Sequence, residues 1–208
     1  MCHDATHQYE TVWTVKNSLN AEDWAQAALD AIAEGGIEAV AVEPLARKLG
    51  VTKGSFYWHF QNRDALLQAA LKAWEAQETT EVVRQVAHID DPRQRLQQVF
   101  RVANSGLRNG RLTGVFAAAS SDPRVGPVVE RVAKKRLEFL YECYAALGFA
   151  PEEARRWAMF AYATFMGTLQ LRSDDPNALP RGRALNEYVR LCMESLIPAD
   201  VETVRRSA

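Results

Sequence analysis

The sequence lacks the features that mark a secreted, membrane-bound or disulfide-stabilised protein. Three cysteines in 208 residues (Cys2, Cys143 and Cys192) are too few and too scattered for a disulfide framework. No apolar run reaches the roughly 20 residues that a transmembrane helix needs, and the N-terminus has no apolar signal segment. We therefore expect a reduced, cytoplasmic protein, with residues 1–20 as a flexible leader.

Net charge is also nearly absent. The chain has 25 Lys and Arg against 26 Asp and Glu, which gives a net charge of −1. The N-terminal third is itself net acidic. A protein that coats nucleic acid is not indicated, and any contact with a polyanion has to depend on a local patch.

Patterns of catalytic and metal sites are missing as well. The sequence contains no nucleophile elbow, no phosphate-binding glycine loop and no zinc-hydrolase pattern. Cys2, His3 and His7 have metal-binding side chains, but no fourth ligand accompanies them. We expect no metal, no cofactor and no enzymatic activity, with a small all-α enzyme as an alternative.

Helical periodicity is present from one end of the sequence to the other. Gly35-Gly36 is expected to end the first helix, and Asn62 is placed to cap a later one. Asn109-Gly110 and residues 120–123 are expected to interrupt the middle of the chain. Because no segment has the alternation of a strand, we predict an all-α protein.

Residues 42–63, VEPLARKLGVTKGSFYWHFQNR, differ from the rest in charge and spacing. The segment has four cations and no acidic residue after Pro44: Arg47, Lys48, Lys53 and Arg63. Phe56 and Phe60 are four residues apart and share one helix face, so Trp58 points the other way. Two short helices around Gly50 fit a helix-turn-helix whose second helix enters the DNA major groove, with a plain packing element as the alternative.

Residues from about 24 to 74 resemble the DNA-binding domain of the TetR family of bacterial transcription regulators. The resemblance depends on the helix end at Gly35-Gly36, on residues 44–60 (PLARKLGVTKGSFYWHF) and on Arg63. It implies an N-terminal three-helix bundle with the helix-turn-helix in residues 21–70. It also implies a larger helical domain for ligand binding and dimerisation in residues 71–208, and a homodimer that binds a palindromic double-stranded DNA operator, usually as a repressor.

The resemblance also implies which residues contact DNA. The side chains that would face bases are Lys53, Ser55 and Trp58. Those that would mainly hold phosphates are Thr52, Tyr57, His59 and Arg63. Gly54 would let the helix backbone approach the duplex. Many family members begin the second helix with Ser or Thr, where this chain has Ala41-Val42-Glu43. Affinity should therefore depend more on Arg47 and Arg63.

Residues 157–169, WAMFAYATFMGTL, contain no charged side chain over thirteen positions. A helix that is apolar all round is buried on more than one side. A stripe of small residues follows this helix: Ala154, Ala158, Ala161 and Thr168. We interpret the stripe as the contact with a second copy. The resemblance implies that the interface between the two copies is a four-helix bundle, and a single monomeric core is the alternative.

The resemblance further implies a cavity for a small-molecule effector. Candidate lining residues are Phe100, Leu107, Phe116, Phe139, Tyr144, Trp157, Phe160 and Phe165. Few charges interrupt these helix faces, so we expect a hydrophobic or aromatic effector. The cationic run at residues 131–136 is interpreted as a solvated helix face. An effector-binding or interaction protein that has lost DNA binding stays open as a second alternative.

Overall fold

The computed structural model describes residues 19–105, 107–175 and 177–198, without the side chains of 104, 105 and 107–110. These ranges form α1 (Ala21–Gly35), α2 (Val42–Leu49), α3 (Lys53–Tyr57), α4 (Arg63–Glu75), α5 (Glu81–Val86), α6 (Pro92–Ser105), α7 (Leu107–Ala118), α8 (Gly126–Ala146), α9 (Pro151–Asp174) and α10 (Arg183–Leu196). A 3-10 turn occupies Ile37–Ala39, and a π-helical segment occupies Ala76–Thr80. No strand occurs in the described ranges, and the predicted all-α class is confirmed.

Two predicted features fall wholly or partly outside this description. Of the predicted leader, only Leu19 and Asn20 are described, so Cys2, His3 and His7 lie outside the described residues. Within the described ranges no three potential metal ligands cluster, and no helix is long and apolar enough to cross a membrane.

Local chemistry sets the ends of the first helices. At the start of α1, Asp23 N–H donates to Asn20 Oδ1 (2.9 Å), and Asn20 N–H donates to Asp23 Oδ2 (2.8 Å). Gly36 ends α1 with φ 75°, and Gly50 ends α2 in the left-handed region with φ 69°. The Asn62 side chain accepts a backbone N–H from the first turn of α4. The predicted helix ends at these positions are confirmed.

One predicted interruption is wrong. Helix α7 runs from Leu107 through Asn109-Gly110 to Ala118 without interruption at these two residues. Asn and Gly lower helix propensity by at most about 1 kcal/mol each, which tertiary packing overrides. Here α7 packs against both α1 and α9. The second predicted interruption, at residues 120–123, is confirmed as the turn between α7 and α8.

The first hydrophobic core joins α1–α4 to two later helices. Its centre is formed by Trp24, Phe56 and Trp74, each at most 1% exposed. Side chains from α7, α8 and the turn between them complete the core: Leu112, Phe116, Val125, Val128 and Val132. Helix α4 ends at Glu75, and its packing continues into α7 and α8. The division of the chain at residues 70 and 71 therefore stays a prediction.

A second core lies between α6, α8, α9 and α10 and includes the fully buried Tyr144. The small-residue stripe of Ala154, Ala158, Ala161 and Thr168 is buried within this protomer, at 0 to 5% exposed. Helix α9 packs along α8 of the same chain. The interpretation of the stripe as the contact with a second copy is wrong, because small side chains here allow the close approach of α8.

Helices α4 and α5 form one helical path that is interrupted by the π-helical segment. In a π-helix the backbone hydrogen bonds reach five residues back, and such segments occur mostly as single turns, often at functional sites. Thr79 in this segment is buried, and Glu78 is half-buried. The continuous helix therefore connects the helix-turn-helix unit to the second half of the protein. Its π-helical segment places the polar side chains of Glu78 and Thr79 towards the interior.

Glu75 anchors the end of α4 to α8. Its carboxylate is 11% exposed and accepts hydrogen bonds from Arg131 Nη2 at 2.6 Å and Lys135 Nζ at 2.5 Å. The hydrogen bond from Arg131, followed by that from Lys135, outweighs the effect of burial and holds the pKa of Glu75 at about 2. This contact fixes the angle between the last helix of the first core and the long helix of the second.

We expect the Glu75 contact to make the free energy of unfolding depend on pH. The folded pKa of about 2 lies below the ordinary value of 4.5, so the contact stabilises the fold above pH 4.5 and is lost as the pH falls towards 2. The contribution is on the order of 3 kcal/mol, of which about 2 kcal/mol is lost at about pH 3. Urea unfolding of Glu75→Gln should show a weaker pH dependence than the wild type. The matched variant Glu130→Gln, at an exposed position of α8, should keep the pH dependence of the wild type. The same pH dependence of unfolding in all three proteins would contradict the role assigned to Glu75.

Candidate nucleic-acid interface and effector cavity

The short helix α3 is held by aromatic side chains on one side only. Phe56 is fully buried, meets Trp24 edge to face with ring centroids 5.4 Å apart, and stacks on Phe60 at 5.6 Å. Phe56 and Phe60 belong to the same core as Leu45 and Ala46 of α2. This anchoring matches the predicted inward face and turns the remaining side chains of α3 to the surface.

The outward side of α3 combines hydroxyl, cationic and aromatic groups. Trp58 is 88% exposed and Tyr57 is 58% exposed. Exposed neighbours are Thr52, Lys53, Gly54 and His59, and Ser55 is half-buried. Thr52 occupies the N-cap position, but its side chain makes no capping hydrogen bond. A surface with two large aromatic side chains in water indicates an interaction site.

The cation at the start of α3 is paired with an acid on α2. Lys53 Nζ donates to Glu43 Oε1 at 2.5 Å, and both side chains are more than half exposed. The hydrogen bond from Lys53 lowers the pKa of the Glu43 carboxyl, and the same contact raises the pKa of Lys53. Phosphates that approach α3 must therefore compete with Glu43 for this ammonium group.

The structure gives Arg63 a different role from the predicted phosphate contact. Arg63 Nε donates to Val40 O at 2.6 Å, and its Nη2 donates to Ile37 O at 2.9 Å and to Glu38 Oε2 at 2.9 Å. These acceptors lie in the turn between α1 and α2. Arg63 thus holds this turn against the start of α4, a long-range contact that local sequence patterns do not show.

Two other cations belong to α2. Lys48 lies 3.8 Å from Asp30 of α1. Arg47 is exposed and forms no ion pair with any residue that the structure describes. Arg47 is therefore available to an external anion without losing an internal contact.

A cavity of about 100 Å³ lies in the second half of the protein, lined by the π-helical segment and by α5, α6, α8 and α9. Three of the predicted lining residues contribute to it: Phe100, Phe139 and Phe165. Leu107 is among the residues whose side chains lie outside the description. The cavity is mainly apolar and aromatic, as predicted for the effector site.

The other four predicted lining residues lie elsewhere. Phe116 packs on Trp74 in the first core, with ring centroids 4.8 Å apart. Tyr144 is buried and donates to Leu196 O at 2.6 Å, and Trp157 stacks on it at 6.0 Å. Phe160 is 52% exposed on the outer side of α9. Their aromatic character indicated that these residues are buried or functional. It did not indicate which of several neighbouring spaces each side chain fills.

Sequence reasoning missed the polar part of the cavity. Its wall includes Glu78, Thr79 and Arg136. Arg136 was predicted on a solvated face, yet it lies four residues after the buried Val132 and four before the buried Leu140. This helical spacing was the available signal, because it places Arg136 on the apolar face of α8.

The fold and the exposed α3 surface define a helix-turn-helix transcription regulator with a helical regulatory half. A family model described as bacterial regulatory proteins, tetR family, matches residues 26–70. Tetracycline repressor protein class A from transposon 1721 of Escherichia coli is 31% identical over 166 residues, which cover 78% of this chain and 71% of that protein. The chain belongs to the TetR family of DNA-binding transcription regulators, which are not enzymes.

Solved structures of transcriptional regulators share the fold. A TetR transcriptional regulator from Legionella pneumophila superposes with a TM-score of 0.73 at 17% identity, over 88% of this chain and 100% of that chain. The transcriptional regulator FadR from Bacillus subtilis, solved in complex with stearoyl-CoA, gives a TM-score of 0.66 at 16% identity, over 85% and 97%. At such low identity the likeness shows the architecture alone.

We expect Arg47 and Arg63 to respond differently to substitution. Arg63→Ala leaves carbonyl groups of the α1–α2 turn without their donor and should lower the free energy of unfolding by about 2 to 3 kcal/mol. Arg47→Ala removes no internal contact, so it should keep the wild-type stability and weaken only DNA binding. Urea unfolding and fluorescence anisotropy on an operator fragment measure the two effects. Wild-type stability of Arg63→Ala would contradict the assigned role.

Proposed function

We propose that the protein is a cytoplasmic homodimeric repressor whose affinity for a palindromic operator is controlled by a small apolar or aromatic effector. The observation that carries the proposal is the outward side of α3, where Tyr57 and Trp58 lie in water beside the buried Phe56. In a helix-turn-helix this is the surface that enters the major groove. The TetR-family membership supports operator binding, dimerisation and effector binding as properties of the class.

We assign the contacts of α3 by position. Lys53, Ser55 and Trp58 face base edges, and Thr52, Tyr57 and His59 hold phosphates. Gly54 has no side chain to keep the backbone away from the duplex. Arg47 adds a phosphate contact from α2. Arg63 supports the interface by fixing the α1–α2 turn rather than by contacting DNA.

The dimer face is assigned to the outer sides of α9 and α10. Large apolar side chains are exposed there: Met159, Phe160, Leu171 and Leu191. On α9 the exposed positions Phe160, Ala163, Gly167 and Leu171 recur at helical spacing. An exposed apolar stripe of this kind marks a protein–protein contact. Two copies of α9 and α10 related by a two-fold axis form a four-helix bundle.

Effector control is supported by the continuity between the cavity and the DNA-binding unit. Glu78 and Thr79 line the cavity and belong to the π-helical segment that directly extends α4. A ligand that contacts this segment binds more tightly to the protein with α4 in one position than in another. It therefore shifts the population of dimers whose α3 helices match the operator half-sites. The apolar walls fit a hydrophobic effector. FadR from Bacillus subtilis, a transcriptional regulator of similar fold, was solved in complex with a small molecule, stearoyl-CoA.

The DNA contacts are tested by two variants with opposite expected signs. Glu43→Gln frees Lys53 from a weak, exposed ion pair and should strengthen operator binding by up to about fivefold. Lys53→Ala combined with Tyr57→Ala should weaken it by at least about tenfold. Anisotropy on a fragment found by footprinting the DNA next to the gene measures both. The variant Glu22→Gln, exposed on α1, is the control, and wild-type affinity of the double variant would overturn the DNA-binding assignment.

The dimer face is tested by Gly167→Leu. A Cβ at this position meets no atom of the protomer within 4 Å, and Leu is a better helix former than Gly by about 0.5 to 1 kcal/mol. The monomer should therefore fold as well as the wild type, while the larger side chain holds the partner helix away. We expect a monomer in light scattering and loss of operator binding. Glu130→Leu introduces the same side chain on the exposed face of α8 and is the control, which should remain a dimer. A stable dimer of Gly167→Leu would place the interface elsewhere.

A further inference from the structure

The cavity contains a cation, Arg136, that forms no contact ion pair with any residue the structure describes. Arg136 lines the cavity; its Nε donates to Thr79 Oγ1 at 3.0 Å and its Nη2 donates to Glu78 O at 3.4 Å. The third guanidinium nitrogen, Nη1, is buried and has no hydrogen-bond acceptor at normal distance among the described residues. Tyr162, which also lines the cavity, interacts with the guanidinium without closing such a bond to Nη1. A buried N–H group without an acceptor is costly, which makes it a candidate for ligand binding.

Aromatic rings fix this guanidinium in place. Its Cζ lies 5.6 Å from the ring centroid of Trp74 and 5.9 Å from that of Phe165. Cations at these distances are attracted to the ring faces. The rings, together with the hydrogen bond to Thr79, hold Arg136 in one orientation before any ligand binds. Preorganised donors of this kind bind a planar carboxylate well.

The neighbouring acids do not neutralise Arg136. Glu75 is taken by Arg131 and Lys135 on the outer side of α8. The Glu78 carboxylate lines the cavity but forms no ion pair with Arg136, and burial raises its pKa. Arg136 cannot lose its proton near neutral pH, whereas a buried carboxyl can be neutralised by binding one. The guanidinium charge of Arg136 is therefore fixed, while burial opposes ionisation of the Glu78 carboxyl beside it.

We infer that the effector is a small organic acid whose carboxylate accepts a hydrogen bond from Arg136 and whose apolar body contacts Phe100, Phe139 and Phe165. This inference rests on the proposed function and names the ligand class of its cavity. A cavity of about 100 Å³ is of the order of the 150 Å³ that holds benzene in an engineered protein. A single aromatic ring or a short branched chain is a body of this size.

Three probes that share a benzyl group and differ in charge test the inference on the full chain. They are phenylacetate, phenylacetamide and phenethylamine, with binding measured by titration calorimetry. We expect phenylacetate to bind at least about tenfold more tightly than the other two. Arg136→Gln should abolish this preference, and Lys134→Gln, exposed on the same helix, should keep it. Glu78→Gln should bind phenylacetate at least as tightly as the wild type, which provides a second variant if Arg136→Gln does not fold.

Four results would overturn the inference. These are equal binding of acid and amide, tighter binding of the amine, loss of acid binding in Glu78→Gln, and no acid binding at about 10 mM. The direct titration does not depend on DNA. Phenylacetate binding without operator retardation would refute the proposed regulator and leave the cavity assignment intact. Operator retardation without acid binding would refute only the ligand class.

Discussion

Two cations of α8 close on a single carboxylate at the end of α4, and the relation between the two halves of the molecule depends on this contact. Glu75 is nearly buried, and both Arg131 and Lys135 reach it within 2.6 Å. Loss of both cations would leave the nearly buried Glu75 carboxylate uncompensated, which is more costly than losing a surface ion pair. The helix-turn-helix unit is therefore fixed to α8 by charge as well as by the shared apolar core.

The same two helices continue directly into the cavity wall. Arg136 follows Lys135 on α8, and Glu78 and Thr79 lie about one turn after Glu75. Arg136 in turn donates to Thr79 and to the Glu78 carbonyl, so it joins α8 to the π-helical segment. A ligand bound at Arg136 Nη1 is linked through the same guanidinium to Thr79 and to the Glu78 carbonyl. In the proposed mechanism a change in the geometry of this segment reaches the DNA-binding unit through α4, which the segment extends.

Local patterns predicted the helix-turn-helix unit well, since its ends are set by nearby residues. Gly36, Gly50 and Asn62 act on their own helices and could be assigned from the sequence. Long-range roles could not be assigned in this way. Arg63 reaches carbonyl groups more than 20 positions away, and the Ala154–Thr168 stripe was identified as a close helix contact but assigned the wrong partner. Periodicity shows which face is buried and not what covers that face.

The charges around α3 explain how a net acidic DNA-binding unit can be selective. Lys53 and Lys48 lie beside acids and Arg63 is used internally, so Arg47 is the described cation of residues 42–63 without an internal partner. A DNA group that binds Lys53 replaces an existing ion pair, and such an exchange gains little free energy on arbitrary DNA. On the contacts proposed for α3, non-specific affinity is then low. Binding becomes favourable where Lys53, Ser55 and Trp58 find matching base edges, which concentrates the binding energy on the correct sequence.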